Sequence, residues 1–284
     1  MFEKVLVSMD LSPATAALVS ALPGMRELGT RELCLVHVAD RLEDPISESM
    51  DHVDELRSRL NGLGDRLKED GFAVTVDVPI GAPATEVIKT VVARDPDVVL
   101  LGSRSHTLIQ DAFMGSVAWD IVRGSGRPIL LQRIEPNRAD PEAALETRGS
   151  GLPEHVVYPT DFTATAERAR PWVLGLATRR VPLFTLVHVM SAASSEKRRE
   201  AESCLEQLAQ ELNERGATEV RCRVRVGTPH EEILAVGGRR VDALVVMGTH
   251  GRGLLPEIIL GSVSRPVVRH ASSRVLLVPG GGEA

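Results

Sequence analysis

The chain has few aromatic residues, and this scarcity limits how its core can be built. Aromatic residues make up 3% of the 284 residues, whereas hydrophobic residues make up 43%. The core must therefore consist of valine, leucine, isoleucine and alanine, which favours an alternation of strands and helices. At this length the chain can form two domains that each bury a core of their own.

Cysteine is also scarce, and its spacing excludes the usual metal and redox motifs. Cys34, Cys204 and Cys222 are scattered and form no Cys-x-x-Cys pair. The eight histidines form no His-Glu-x-x-His pattern. We therefore expect no metal site, and we interpret the three thiols as small apolar side chains.

Long blocks of one charge and long apolar runs are both absent from the sequence. The formal net charge is -6, and no run of like charges is typical of a nucleic-acid-binding arm, so we expect no nucleic-acid partner. No apolar run approaches the roughly 20 residues needed to span a bilayer, and residues 1–7 lead into a strand pattern without the features of a signal peptide. We expect a soluble, cytoplasmic protein without membrane insertion.

The sequence does contain short apolar runs that alternate with amphipathic stretches. In the first half, strands are predicted at residues 5–8, 33–38, 73–78, 98–101 and 129–131. Helices are predicted to follow them: one through about residue 28, one over about 47–70, one after residue 83 and one from residue 115. Such alternation indicates right-handed βαβ crossovers in an open parallel sheet with helices on both faces.

The second half of the chain repeats the first. Asp161 follows Asp10 by 151 residues, and Leu-Val-His-Val occurs at the same distance; after the second helix the distance becomes 146, as between Gly102 and Gly248. Residues 135–152 are polar and rich in Pro and Gly, which is typical of a linker. We therefore predict a first domain over 1–134, a linker over 135–152 and a second domain over 153–284.

A glycine motif follows the fourth strand of the second half. Gly248-Thr249-His250-Gly251 is separated by nine residues from Gly261-Ser262, and a helical pattern comes next. Glycines allow sharp turns and close approach of a ligand, and a helix start at Ser262 would attract an anion. A glycine-rich loop without a ligand would show the same residues. The spacing resembles the ATP-binding signature of the universal stress protein family.

The resemblance covers nearly the whole chain and identifies it as a tandem member of that family. It implies a Rossmann-like adenine-nucleotide-binding fold, namely two tandem open parallel five-stranded sheets with the strand order 3-2-1-4-5. In such sheets a ligand lies outside the carboxyl ends of the strands, where the strand order reverses. That point falls between the first and fourth strands of each half.

The resemblance also implies which residues of the second half contact ATP. Asp161 would accept hydrogen bonds from ribose or adenine, although an Asp after a strand also commonly caps a helix. Val189 would contact adenine through its backbone, unless it only packs in the core. Mg²⁺ or Mn²⁺ could bridge the phosphates. The complete implied set is Pro159, Thr160, Asp161, Val189, Met247, Gly248, Thr249, His250, Gly251, Gly261, Ser262 and Val263.

The first half departs from the signature at one position. Ser105 stands where the second glycine is expected, while the nine-residue gap and Gly115-Ser116 are retained. A serine forced to φ > 0 costs about 1–2 kcal/mol. We therefore expect a weaker site in this half, formed by Asp10, Val38, Gly102, Gly115 and Ser116.

The sequence shows no motif that is typical of rapid ATP hydrolysis. The chain has four lysines, none of them beside a glycine, and it has no Gly-x4-Gly-Lys-Ser/Thr element. We interpret His250 and Arg252 as surface or phosphate-contacting groups and name no catalytic residue. The leading hypothesis is an ATP-binding stress-response regulator that acts on an unknown protein partner. A slow ATPase or another adenine-nucleotide enzyme is the second hypothesis, and an interaction module with vestigial pockets is the third.

The resemblance further implies how such domains associate. Family members built from one domain commonly pair through the exposed edge of the fifth strand, because an uncovered apolar edge invites pairing. A tandem chain can form the same contact within itself, so we expect an intramolecular pseudo-dimer. A homodimer of the whole chain is the alternative.

The difference between Gly251 and Ser105 predicts unequal nucleotide binding by the two halves. We expect Gly251→Ala to abolish most ATP binding, because the alanine methyl group would block the approach of the phosphates. Ser105→Gly should strengthen or create a second site. Isothermal calorimetry of the full chain measures both effects, and two equal ATP sites in the unaltered protein would contradict the prediction.

Overall fold

A computed structural model describes residues 1–40, 50–104, 115–136, 145–249 and 260–280 of the chain. The chain divides into two compact units, Met1–Gly151 and Leu152–Ala284. Strands and helices alternate in each unit, as the sequence pattern predicts. His250 and Gly251 of the predicted site, and Ser105 of the first half, lie outside the described residues.

The first unit is a mostly parallel sheet with its helices in the crossovers. The strands stand in the order β3-β2-β1-β4-β5, and every contact between these neighbours is parallel, which confirms the predicted order 3-2-1-4-5. The strands are β1 Lys4–Ser8, β2 Glu32–Val36, β3 Ala73–Asp77, β4 Val98–Arg104, β5 Ile129–Pro136 and β6 Leu145–Arg148. The helices are α1 Pro13–Ala21, α2 Met50–Glu69, α3 Pro83–Arg94 and α4 Ser116–Gly124.

The second unit repeats this architecture. Its strands stand in the order β9-β8-β7-β10-β11, again with parallel neighbours, which is the same 3-2-1-4-5 order when counted within the unit. The strands are β7 His155–Pro159, β8 Leu183–Met190, β9 Glu219–Val226, β10 Ala243–Gly248 and β11 Arg274–Val278. The helices are α5 Ala164–Glu167, α6 Arg170–Ala177, α7 Ser195–Glu214, α8 Pro229–Ile233 and α9 Ser264–His270.

Burial of the strands follows their place in the sheet. Every residue of β7, β10 and β11 is buried, as expected for strands that are covered on both faces. The outer strands β3 and β9 instead alternate between exposed and partly buried residues. Among the described helices, none is both long enough and apolar enough to cross a membrane.

Capping residues fix where several helices begin. Ser12 caps α1 by accepting a hydrogen bond from the Ala14 amide, with Pro13 in the first helical turn. The helix ends at Ala21 rather than near residue 28, because Pro23 has no amide hydrogen to continue the α-helical bonding. The chain proceeds as a 3-10 turn, Leu22–Arg26.

The segment that reads as a linker contains a strand. β5 continues to Pro136, and β6 pairs with it antiparallel, with Arg133 opposite Arg148. The Gln132 side chain donates to the carbonyl of Gly149 at 3.0 Å, and a Cβ on Gly24 would lie only 2.3 Å from the Gly151 amide nitrogen. The sequence pattern does not reveal this strand, because its pairing uses the backbone and needs no apolar period.

The edge strand β9 carries arginines at alternate positions. Arg221, Arg223 and Arg225 are exposed. Arg223 donates to the carbonyl of Cys222 at 3.2 Å, and Arg198 on α7 donates to the carbonyl of Val224 at 3.4 Å. Guanidinium groups therefore occupy two backbone acceptors of this strand.

A histidine is buried at the start of β7. His155 is 3% exposed, and its Nε2 lies 2.8 Å from the Thr185 hydroxyl. Within the described part of the chain its Nδ1 has no hydrogen-bond partner. The ring packs against Gly237 in a π-helical turn, where a Cβ would lie 2.7 Å from its Cε1 atom. Burial, with Arg240 next in effect, lowers the pKa of His155 from 6.5 to about 4.

His155 should make the stability of the second unit depend on pH. Its pKa is lower in the folded state, so the unfolded chain binds more protons between pH 6.5 and about 4, and stability falls as the pH drops through that window. Between pH 7.5 and 5 we expect a loss of about 2 kcal/mol that His155→Gln removes. Urea unfolding at both pH values measures this loss.

Comparison of the unaltered protein with His155→Gln measures the contribution of this histidine alone. Asp77 and Asp242 have lowered pKa values, since each carboxylate accepts hydrogen bonds from an arginine, and these groups remain in the variant. Their contribution to acid unfolding is therefore the same in both proteins. An equal pH dependence in the unaltered protein and in His155→Gln would show that His155 is not responsible.

Candidate functional site

A cavity opens at the carboxyl ends of β7, β8 and β10 in the second unit. Its volume is about 240 Å³, and it lies at the point where the chain order of the strands reverses, beside β7 and β10. The predicted residues that line it are Pro159, Thr160, Asp161, Val189, Met247, Gly248, Gly261, Ser262 and Val263. The strands therefore bring together residues that are up to about a hundred positions apart in the sequence.

The walls of the cavity include residues that the sequence prediction missed. Val187, Ile233 and Pro229 add apolar surface next to Val189 and Met247. Val187 precedes Val189 by two residues on β8, so the alternation of a strand could have placed both on one face. Ala166 and Ser264 also line the cavity. The apolar walls suit a flat apolar group.

Asp161 has a structural role as well as a place in the cavity wall. Its Oδ1 accepts hydrogen bonds from the amide of Thr163 at 3.1 Å and from the Thr163 hydroxyl at 2.6 Å. Thr163 is in turn the capping residue of α5. Asp161 is therefore not itself the cap of α5: its carboxylate orients Thr163, which caps the helix, and it also lines the cavity.

The end of β8 is held by the His188 ring. Its Nδ1 lies 2.9 Å from the carbonyl of Thr160, and the ring stacks on Phe162 with 4.8 Å between centroids. Phe162 has φ 60°, a conformation that costs energy for a residue with a side chain. The stacking and the hydrogen bond together stabilise the turn that carries Asp161.

Thr249 holds the place where the chain leaves the sheet after β10. Its amide donates to Val278 at 3.0 Å, and its hydroxyl accepts from the Gly280 amide at 3.3 Å. Its carbonyl accepts from the Gly261 amide at 2.8 Å and from the Ser264 hydroxyl at 2.7 Å. Thr249 is 4% exposed and is not among the described residues that line the cavity.

The last helix begins later than the sequence suggests. α9 has seven residues and starts at Ser264, so Ser262 and Val263 lie in the turn before it. The expectation of a helix start at Ser262 is therefore wrong. The Ser264 hydroxyl donates to the Thr249 carbonyl, and Ser262 is exposed beside the cavity.

The first unit has a cavity at the equivalent place. It measures about 630 Å³ and is lined by all the residues predicted for that half: Asp10, Val38, Gly102, Gly115 and Ser116. Asp40 and His37 also line it. Burial lowers the pKa of His37. This cavity is therefore larger and more polar than its counterpart.

No described group of residues provides a metal or thiol centre. Across the described ranges, no cluster of three His, Cys, Asp or Glu side chains is arranged to hold a metal ion. Burial raises the pKa of the Cys34 thiol to about 11, so this thiol stays protonated at neutral pH.

Comparison with known proteins supports a common origin for both halves. The model of the universal stress protein family matches residues 1–133 and 153–279. A universal stress protein of Methanocaldococcus jannaschii is 30% identical over 151 residues, which cover 43% of this chain and 93% of that protein. One from Mycobacterium tuberculosis is 29% identical over 203 residues, which cover 66% of this chain and 60% of that protein.

Solved structures show the same fold. A universal stress protein from Archaeoglobus fulgidus aligns with a TM-score of 0.74 at 21% identity, over 99% of this chain and 98% of that one. A putative universal stress protein from Pseudomonas aeruginosa aligns with a TM-score of 0.64 at 16% identity. The alignment covers 98% of this chain and 93% of that one. Because both halves match the family model and the fold agrees, the chain belongs to the universal stress protein family as a tandem two-domain member.

Proposed function

We propose that this chain is an ATP-binding regulatory protein of the stress response, with its principal nucleotide site in the second unit. The observation that carries the proposal is the cavity at the reversal of strand order, which is lined at the positions of the family's ATP signature. A regulator of this kind must bind nucleotide reversibly. Nucleotide occupancy would then change the surface that contacts a protein partner. The proposed compartment is the cytoplasm.

Adenine would lie in the apolar part of the cavity. Val187, Val189 and Ile233 offer the aliphatic walls against which a planar base can pack, and the Val189 backbone would contact its edge. The Asp161 carboxylate, already fixed by Thr163, would accept a hydrogen bond from ribose or from the adenine amine. Because the carboxylate is held in place, it would lose little conformational entropy on binding.

The phosphates would lie at the turn before α9. Backbone amides of residues 261–263 and the Ser262 hydroxyl are donors next to the cavity, and Gly261 carries no side chain that could obstruct them. In the described residues no three-ligand metal cluster is present, so Mg²⁺ or Mn²⁺ would be held mainly by phosphate oxygens and water. The residues present therefore fit a nucleotide better than a bare metal ion.

A negative charge beside the proposed phosphate position tests the site. Ser262 is exposed, so Ser262→Asp should fold normally while its carboxylate repels the phosphates. We expect ATP affinity, measured by calorimetry on the full chain, to fall by about tenfold or more. Mass spectrometry of ligand released from the freshly purified protein identifies the nucleotide that it carries.

The first unit supplies the matched control. Ser116→Asp introduces the same charge at the equivalent position of the other half and should affect total ATP binding much less. Circular dichroism of both variants checks that they are folded. Absence of any ATP binding by the unaltered protein, or equal losses in the two variants, would refute the proposed site.

Hydrolysis should be slow compared with ordinary enzymes. The sequence has no phosphate-binding lysine motif, so the charge that develops during phosphoryl transfer would be poorly stabilised. We expect a steady-state rate well below about 1 per second. Release of phosphate from ATP under multiple turnover measures it, and a faster rate would favour the enzyme hypothesis.

A further inference from the structure

We propose that Ser264 is a positioning residue. Its hydroxyl would hold together the two ends of the glycine loop, the segment between β10 and α9, and so set how residues 261–263 face the phosphates. The inference rests on the proposed function, because it assigns a role within the same site. It also offers a physical reason why the two halves should differ, beyond the replacement of one glycine by Ser105. The base of the loop is defined here as Thr249, Gly261 and Ser264.

The geometry of the base carries the argument. Ser264 is 2% exposed, and its hydroxyl donates to the Thr249 carbonyl at 2.7 Å. The Gly261 amide donates to the same carbonyl at 2.8 Å. Gly261 and Ser264, the first residue of α9, are thereby both tied to the carbonyl oxygen of Thr249, the first residue after β10. Loss of the Ser264 hydroxyl would remove its link from α9 to the Thr249 carbonyl and leave that carbonyl bonded to the Gly261 amide.

The first unit lacks this arrangement. Ala118 stands at the position of Ser264, 146 residues earlier, and has no hydroxyl to donate. Both Ser103 and Gly115 are described, and no backbone hydrogen bond joins them as one joins Thr249 and Gly261. Among the described residues of the first unit, neither of the two hydrogen bonds that define the loop base is therefore present.

The path of the chain after the fourth strand differs between the two units. β10 ends at Gly248, so the chain leaves the sheet at Thr249. β4 continues two residues past the equivalent Gly102, with Ser103 paired to Arg133 and Arg104 to Ile134.

A side-chain contact holds this longer path. The buried Arg133 side chain donates to the Ser103 hydroxyl at 2.9 Å. Pro279 occupies the position of Arg133 in the second unit and has no side-chain donor for such a contact. The first unit thus keeps Ser103, the equivalent of Thr249, paired in the sheet.

The ratio of ATP affinity to adenosine affinity distinguishes a role of Ser264 in positioning the phosphate contacts from a general effect on the stability of the fold. Ser264→Ala should weaken ATP binding about tenfold, because the phosphate contacts depend on the loop base. Adenosine binding should change less than about twofold, because the apolar walls are intact. Calorimetry of the full chain with each ligand gives the ratio, and Ser264→Thr, which keeps a hydroxyl, should restore it.

Ser273→Ala is the matched control. Ser273 is also buried, at 1% exposure, and its hydroxyl also donates to a backbone carbonyl, that of Gly238 at 3.2 Å. It lies away from the cavity lining. This variant should be destabilised to a similar extent but should keep the unaltered ratio of affinities. An unchanged ratio in Ser264→Ala, or an equal change in Ser273→Ala, would overturn the inference.

A measurement without nucleotide keeps the inference separate from the proposed function. Hydrogen exchange of the Gly261 amide, which is protected by the Thr249 carbonyl, should be faster in Ser264→Ala than in Ser273→Ala. Equal exchange would overturn the role of Ser264 even if ATP binds. Faster exchange in a protein that binds no ATP would instead overturn the proposed function alone.

The first unit allows a gain of function as well. Ser105→Gly combined with Ala118→Ser should raise ATP binding in that half more than Ser105→Gly does by itself, because the second change supplies the missing donor. The effect is measured by the stoichiometry and affinity of ATP in the full chain with Ser262→Asp as background. Equal binding by the single and double variants would show that the hydroxyl does not position the loop.

Discussion

Burial of the central strands on both faces is the constraint on which each unit depends. β7, β10 and β11 expose no residue, so none of them can form without helices above and below. Parallel strands also need crossovers, and the helices in those crossovers provide the cover. The two helices that follow the first and fourth strands must lie on opposite faces, which leaves a cleft between the ends of those strands. The candidate site is therefore a by-product of how the core is covered.

The strands could be located from the sequence because buried parallel strands are continuous apolar runs. Their spatial order could not, because adjacent strands differ little in composition; the order 3-2-1-4-5 came from the family resemblance and matches the pairing. β6 was missed since backbone pairing leaves no pattern in polar residues. The apolar pattern extends α1 to about residue 28, although Pro23 is a visible helix breaker and the helix ends at Ala21.

At the candidate site, the family resemblance indicated most of the cavity lining, but not the hydrogen bonds within the chain that hold it. Thr249 is a predicted ligand contact, and the structure adds that its amide, carbonyl and hydroxyl all form hydrogen bonds within the chain. Ser264 looked like an ordinary helical residue, because a hydroxyl that bonds to a backbone carbonyl across the loop has no sequence signature. The repeat offers the missing signal, since aligning Ser264 with Ala118 shows a hydroxyl in one copy and a methyl group in the other.

The arginines of β9 have a consequence for the behaviour of the protein at high concentration. An edge strand of eight residues would normally be a template for strands of neighbouring molecules. Here an incoming strand would first have to displace the guanidinium groups of Arg223 and Arg198 from the carbonyls of Cys222 and Val224. Two of the arginines, Arg221 and Arg225, also pair with the carboxylates of Glu219 and Glu232. These side chains thereby obstruct the addition of a neighbouring strand at this edge.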